Sequence, residues 1–322
     1  MTDVDVPLEL RLEQYRGELI GYCYRMLGSA TEAEDAVQDT MIRAWRGHDG
    51  FEGRSALRSW LYRIATNVCL DALRSRKTRA RPMDLAGPST VATAALTVLP
   101  EATWIGPLPD TGPASESGDP AEVAAQRESV RLALIAALQR LAPRQRAVLI
   151  LREVLAWRAS EVAELLDTSV ASVNSALQRA RATLAVHEVA ATDPVRPLDR
   201  DQTALLARYV HAFEHYDMDG LAELLHEDAV MSMPPYALWL RGRPEIRGWM
   251  LGPGAECRGS RLLPTVANGA PAFAQYRPDP NGGHLPWALQ VLDLADGRIT
   301  GFTFFLDTDT LFPLFGLPAR LD

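Results

Sequence analysis

The 322-residue sequence has three cysteines (Cys23, Cys69, Cys257), a single lysine (Lys77) and no long apolar run. Three scattered cysteines exclude a disulfide-stapled scaffold and a cysteine-rich zinc site. The longest apolar runs, such as Ala147 to Leu151, fall far short of the roughly 20 residues a membrane helix needs. The N-terminus is acidic and lacks the apolar stretch of a secretory signal, so a cytoplasmic protein is expected. The other 32 of the 33 basic residues are arginine, a bias that GC-rich codons alone produce. Hydrophobic residues at 47% and charged residues at 23% exclude a disordered or collagen-like chain. The length calls for about two domains or more.

The net charge of −8 argues against nucleic acid, but its distribution reverses that. Residues 1–81 carry +1, 82–130 carry −6, 131–187 carry +4 and 188–322 carry −7. Neutral-to-basic blocks alternating with acidic ones point to nucleic-acid contact.

The first 187 residues read as helices. Leu12, Tyr15, Leu19, Tyr22 and Met26 place one helix over 10–29. Thr31 and Glu34 form a capping-box pattern for a second, with Ala33, Ala36, Val37, Thr40, Met41, Ala44 and Trp45 on its apolar stripe. A third runs from about Ser55 to Arg76, with Leu57, Trp60, Leu61, Ile64, Ala65 and Val68 inward and a basic run to Arg81. Residues 82–118 hold six prolines and four glycines, a linker composition. Within it Leu99, Trp104 and Ile105 are too apolar for a free spacer, so this stretch is expected to pack on a neighbouring domain. Asp119-Pro120 signals a helix start, and Pro143 opens another. After about residue 200 helical periodicity gives way to strand-like runs at 229–233, 261–267, 272–276, 287–293 and 298–307. Asp296-Gly297 is a hairpin signal, so the tail is a separate α+β domain.

Two short helices, about Ser160–Leu166 and Val170–His187, are separated by Asp167-Thr168-Ser169, the turn length of a helix-turn-helix. Val162, Leu166, Val173 and Leu177 would form its core, with Ala163 small at the crossing. Thr168 and Ser169 lie in the turn, and Ser172, Asn174, Ser175, Gln178, Arg179 and Arg181 face outward. Amides read adenine edges and arginines hold guanine or phosphate, so duplex DNA is the expected partner. On the Ser55–Arg76 helix, Arg58, Tyr62, Arg63, Thr66, Asn67, Asp71 and Arg74 lie opposite the apolar stripe. Aromatics interleaved with Arg and Asn suit unpaired bases; a basic solvated face is the alternative. Glu32, Asp35, Gln38 and Asp39 are explained by the helix dipole alone.

Three stretches carry a family resemblance: Thr31 to Thr40 with Ala44-Trp45-Arg46, Phe51 to Ala65 with Asn67 and Asp71, and Leu141 to Arg146 onward through Gln178-Arg179-Ala180-Arg181. They resemble bacterial extracytoplasmic-function (ECF) sigma factors of the sigma-70 class. The resemblance implies a region 2 over 1–81, an acidic linker over 82–118 lying in a basic channel, and a region 4 over 119–190. It implies that Glu34, Asp35, Gln38, Asp39 and Arg43 dock on the β′ clamp helices of RNA polymerase core. It implies that Arg58, Trp60, Tyr62, Arg63, Asn67 and Arg74 serve the flipped −10 base, and that residues 168–181 enter the −35 major groove of promoter DNA. Ala176 departs from the pattern, since many members carry Arg there.

The tail, 200–322, is similar in element order to the NTF2-like (SnoaL-like) cone. The expected fold is therefore two all-α sigma domains, the second with a helix-turn-helix, followed by an α+β NTF2-like cone. Some such cones are enzymes, and catalysis needs a buried acid or base; His211, His215, His226 and Asp228 are the candidates. No enzyme activity, cofactor or metal is expected, a small ligand of the tail is possible, and control of transcription by the tail is expected through the linker. The alternative is a DNA-binding repressor fused to a small-molecule-binding or enzymatic NTF2-like domain.

Overall fold

A computed structural model of the chain describes residues 8–48, 57–74, 78–110, 130–185 and 198–322. The expected helix starts at Ser55 and Asp119-Pro120, the stretch Arg76-Lys77 and the helix end at His187 lie outside the described residues. The chain divides into two units. One holds the described residues up to Arg79 together with 130–185; the other holds 80–110 and 198–322.

In the first unit the single helix expected over 10–29 is two, α1 (Leu8–Glu13) and α2 (Arg16–Leu27), joined at Tyr15. Helix α3 (Ala30–Gly47) starts earlier than the Thr31 box implies. Ser29, in extended backbone, is the cap and accepts from the Glu32 amide at 3.4 Å. Thr31 already lies in the first turn, with its hydroxyl 3.0 Å from Ser29 Oγ. Only Ala33, Ala36, Val37, Thr40 and Ala44 of the α3 stripe are buried with Ala30; Trp45 is 59% exposed, off the expected core. Helix α4 (Leu57–Leu73) buries Leu61, Ala65 and Val68, as expected. It also buries Tyr62 and Thr66, which the stripe placed on the solvent side. The reason is a polar interior: Thr66 Oγ1 lies 2.7 Å from the Tyr22 hydroxyl, and the Tyr62 hydroxyl donates to Glu18 at 3.2 Å.

The same unit continues with α5 (Leu132–Gln139), α6 (Pro143–Leu149), a π turn over Ile150–Val154, α7 (Ala159–Leu165) and α8 (Val170–Ala185). Pro143 sits in the first turn of α6, where its missing N–H costs nothing. The α7–α8 core is Val162, Ala163, Leu165, Val173 and Leu177. Leu165 takes the place expected of Leu166, which follows the last turn of α7. Asp167 adopts φ +48° to turn the chain into α8.

The second unit is built on a six-stranded sheet of order β2-β1-β6-β5-β4-β3. Its strands are β1 (Leu225–Ser232), β2 (Trp239–Arg241), β3 (Arg261–Ala267), β4 (Ala270–Pro278), β5 (His284–Ala295) and β6 (Arg298–Phe305). Only β1 and β6 run parallel. Asn268-Gly269 and Asp296-Gly297 take positive φ and close the β3–β4 and β5–β6 hairpins with two-residue turns. Helices α9 (Arg200–Glu214), α10 (Met218–Leu224) and α11 (Arg243–Leu251) close an NTF2-like cone around a core including Tyr209, Phe213, Trp249, Phe273 and Phe304. Helix α12 (Thr308–Leu314) packs Phe312 edge-on against Tyr276.

Residues 80–110 are seated on this cone. Ser89 N donates to Trp239 O at 2.8 Å and Trp239 Nε1 to Ala86 O at 2.8 Å. Val91 N reaches Glu245 Oε2 at 2.7 Å, and Leu99 N reaches Pro235 O at 3.0 Å. Leu108 and Asn268 exchange two bonds of 2.9 Å, and Asp110 Oδ1 accepts from Gly269 N at 2.9 Å. Trp104 is 4% and Ile105 3% exposed, so this proline-rich stretch has a packed structure.

Inside the cone one polar chain crosses the apolar core. The Tyr209 hydroxyl donates to Gln290 Oε1 at 2.6 Å, Gln290 Nε2 to Gln275 Oε1 at 2.9 Å, and Gln275 Nε2 to Ser260 Oγ at 2.9 Å. All four residues are buried. Tyr209→Phe leaves a buried amide oxygen without its donor, so it should destabilise the cone by about 1–3 kcal/mol with no change in secondary structure. Urea denaturation followed by circular dichroism measures this; an unchanged midpoint contradicts it.

Candidate nucleic-acid interface

Helix α8 presents one buried side (Val173, Leu177, Ala180) and one polar side. Thr168, Ser169, Ser172, Asn174, Ser175, Gln178, Arg179 and Arg181 are all exposed. The Ser169 and Ser172 hydroxyls lie 2.9 Å apart, and Ser169 Oγ accepts from Ser172 N at 3.1 Å, which caps the first turn. Arg179 Nη1 lies 2.5 Å from Ser175 Oγ, and Arg181 pairs with Glu153 at 2.6 Å. Both arginine contacts are exposed and cost little to exchange for a phosphate or a base. The structure thus brings Ser172, Asn174, Ser175, Gln178, Arg179 and Arg181 onto the polar side of α8, with Thr168 and Ser169 in the turn before it.

Helix α4 gathers a less uniform set. Arg63, Asn67 and Arg74 are exposed, and Arg58 and Trp60 are half-buried. Tyr62 is fully buried, with its hydroxyl on Glu18 and its ring against Tyr22 and Trp157. Burial holds its phenol well above the usual tyrosine pKa. Arg58 pairs with Glu18 at 2.8 Å. Of the basic run after α4, Arg79 turns inward, 6% exposed at its side chain, and pairs with Glu32 at 2.7 Å.

On α3, Glu34, Asp35, Gln38 and Arg43 are exposed, and Asp39 pairs with Arg43 at 2.8 Å. Beside this rim lies a feature that the sequence pattern did not reveal. Ile42 is 41% and Trp45 59% exposed, and with Leu12, Met41, Glu9, Glu13 and Arg46 they line a groove of about 440 Å³ between α1 and α3. Trp45 fits the apolar period of α3, so periodicity alone assigned it to the core.

The four acid–base candidates of the tail are on its surface. His211 and His215 are exposed and stacked at 4.1 Å, and His215 Nδ1 lies 2.9 Å from the His211 carbonyl. His226 Nδ1 accepts from Asp228 N at 3.2 Å, and the Asp228 carboxylate pairs with Arg241 at 3.1 Å. None of them is the buried acid or base that catalysis needs. Among the described residues no cluster of three or more His, Cys, Asp or Glu is placed to hold a metal ion, and no helix is long and apolar enough to cross a membrane.

Comparison with known proteins agrees with this layout. Residues 12–79 match the family model for sigma-70 region 2, 131–184 that for sigma-70 region 4, and 206–302 that for the SnoaL-like domain. The chain is 47% identical over 312 residues to the ECF RNA polymerase sigma factor SigG of Mycobacterium tuberculosis, covering 96% of this chain and 83% of that protein. It is 29% identical over 247 residues to SigJ of the same organism, covering 74% of this chain and 71% of that one. The crystal structure of M. tuberculosis SigJ shares its fold, with a TM-score of 0.60 at 23% identity, covering 96% of this chain and 99% of that one. With helical regions 2 and 4 and a SnoaL-like cone in that order, the chain belongs to the ECF RNA polymerase sigma factors.

Proposed function

We propose that this sigma factor, which directs RNA polymerase to promoters, works through three surfaces and one docked linker. The α3 rim of Glu34, Asp35, Gln38, Asp39 and Arg43, extended by Ile42 and Trp45, binds the β′ clamp helices of the core enzyme. The α4 face of Arg58, Trp60, Arg63, Asn67 and Arg74 takes the melted −10 strand. The α8 face from Thr168 to Arg181 reads the −35 duplex. The observation that carries this reading is the sidedness of α8: each polar residue of the duplex-reading set is exposed, and the opposite side is buried. An amide paired bidentately with N6 and N7 on the major-groove edge of an adenine contributes about 1–3 kcal/mol of discrimination.

The cone acts in cis, through the linker. Holding residues 80–110 on the cone removes them from the free chain that joins α4 to α5, and with them part of the reach between the two promoter-reading surfaces. A ligand or partner that binds docked and undocked linker with different affinity shifts transcription by that difference.

Asp35→Arg with Asp39→Arg should cut co-purification with core polymerase at least about tenfold while changing stability by under about 0.5 kcal/mol, because both carboxylates lie on a solvated face; wild-type yield contradicts the docking assignment. Arg179→Ala should weaken binding to all duplexes alike and lower the salt slope by about 1, whereas Asn174→Ala and Gln178→Ala should relax base preference. Binding titrations over a salt series, with competing duplexes, separate the two classes. Trp104→Ala opens a cavity that costs about 3–5 kcal/mol and should free the linker. Run-off transcription should then differ from wild type at equal protein concentration; equal output, with the cone still folded, removes the linker from control.

A further inference from the structure

Where β4 ends and β3 begins, the cone carries two arginines that none of the surfaces above uses. The β3–β4 register sets Tyr276 opposite Arg261 and so brings Arg277 beside the residues that lead into β3. The Arg277 guanidinium stands 3.2 Å from the centre of the Trp287 ring. Its Nη1 pairs with Glu256 Oε2 at 3.1 Å, and its Nη2 lies 3.4 Å from Cys257 Sγ. Its Nε–H is buried with no acceptor among the described residues. Arg258 places its guanidinium 4.8 Å from the centre of the Tyr216 ring and has no ion pair among the described residues. Burial and the Cys257 thiol raise the Tyr216 phenol above its ordinary value, and both guanidiniums, close to it, oppose that rise.

These arginines have more donors than their surroundings have acceptors. A guanidinium offers five N–H groups and accepts none. Arg277 uses one on a carboxylate and one on sulfur, a weak acceptor. The neighbouring amide and hydroxyl are engaged elsewhere: Gln275 Oε1 accepts from Gln290, and Ser260 Oγ accepts from Gln275. Among the described residues Glu256 is the one carboxylate paired with either arginine. That pair is lopsided, with the Arg277 side chain 17% exposed and that of Glu256 79%. A largely buried cation needs its acceptors. The Glu256 end is solvated and its ion pair contributes little. Another carboxylate can therefore take the place of Glu256, while Arg277 stays where it is.

We propose that Arg277 and Arg258 form a binding site for the carboxylate of a small organic acid, whose place on Arg277 the Glu256 side chain holds. The fork of a guanidinium meets a carboxylate with two parallel hydrogen bonds, and stacking on Trp287 keeps the Arg277 fork in position. Three features select a carboxylate. Glu256 shows that this group fits Arg277. The charges of the two arginines, Glu256 and a singly charged acid sum to zero, whereas a doubly charged phosphate overshoots. The half-buried rings of Trp287 and Tyr216 offer apolar surface to an organic body rather than to a bare ion. The site shares no residue with the contacts that hold the linker.

The test uses the full chain with benzoate as the probe, at neutral pH and constant ionic strength. The chain has seven tryptophans, and the Trp287 indole N–H signal in a proton–nitrogen correlation spectrum is assigned by its loss in Trp287→Phe. Benzoate should shift this signal to saturation with a Kd of about 1 mM, as expected of a ligand of about nine heavy atoms. Arg277→Lys keeps the charge but loses the fork, and should weaken binding at least about tenfold. Arg258→Ala should weaken it about threefold or more. Glu256→Gln removes the competing carboxylate and should tighten binding by up to about fivefold. Arg258 and Glu256 are exposed, so their variants carry the test if Arg277→Lys does not fold. A Trp287 signal that stays put, or drifts without saturating, in both wild type and Glu256→Gln overturns the site. So does saturable binding that Arg277→Lys and Arg258→Ala leave unchanged. Inorganic phosphate is the second arm: phosphate binding more tightly than benzoate overturns the carboxylate assignment.

Discussion

The helical unit depends on one buried cation. Burial pushes the Arg146 guanidinium down to about 10, which leaves it charged at neutral pH. A buried charge with five donors needs acceptors on several sides. The ends of α-helices supply them, because the last carbonyls of a helix have no partner of their own. Arg146 donates to the carbonyls of Met26 in the last turn of α2, of Gln139, which ends α5, and of Leu141, which follows it. One side chain therefore satisfies two helix ends that are 113 residues apart in the chain. Gly28 makes room for this. It ends α2 at φ +75°, and a Cβ there would stand 3.2 Å from the Gln139 side chain.

The cone meets the opposite requirement, a large apolar interior with its polar atoms paired internally. Its sheet gives one face to α9–α11, and the Tyr209–Gln290–Gln275–Ser260 chain satisfies the polar atoms inside. The linker attaches through hydrogen bonds at Trp239, Pro235 and Asn268 and through two carboxylates, Glu245 on the Val91 amide and Asp110 on the Gly269 amide. The cone thus carries a stretch of proline-rich chain on its surface.

Much of this was legible in the sequence where a short-range rule applied. The helix-turn-helix announced itself through Val162, Val173 and Leu177 and a three-residue turn, and Asp296-Gly297 marked the β5–β6 hairpin. Asn268-Gly269 carries the same signal and joins the strand-like runs at 261–267 and 272–276 into the β3–β4 hairpin. The errors cluster where the partner is distant. Tyr62 and Thr66 flank the apolar stripe of α4, and periodicity put them outside. They turn inward because Glu18, Tyr22 and Trp157 wait for them, none closer than 40 residues along the chain. Trp45 is the converse case: its position fits the stripe of α3, but it is left mostly exposed. Linker composition suggested a spacer with one packed patch; the hydrogen bonds at Ala86, Ser89 and Val91 depend on Trp239 and Glu245, which no local pattern reveals.

A repressor carrying a small-molecule domain would explain the helix-turn-helix and the cone. It has no use for residues 12–79, which match sigma-70 region 2, or for an acidic α3 rim beside exposed Ile42 and Trp45. The central claim is that this chain makes promoter choice for the polymerase. Transcription in vitro from fragmented genomic DNA of the source organism, with core polymerase and this protein as the only proteins present, tests it most directly. The account predicts a small set of discrete start sites, absent with core alone, that share upstream elements at the −35 and −10 positions. Specific DNA binding with no new start sites would contradict it.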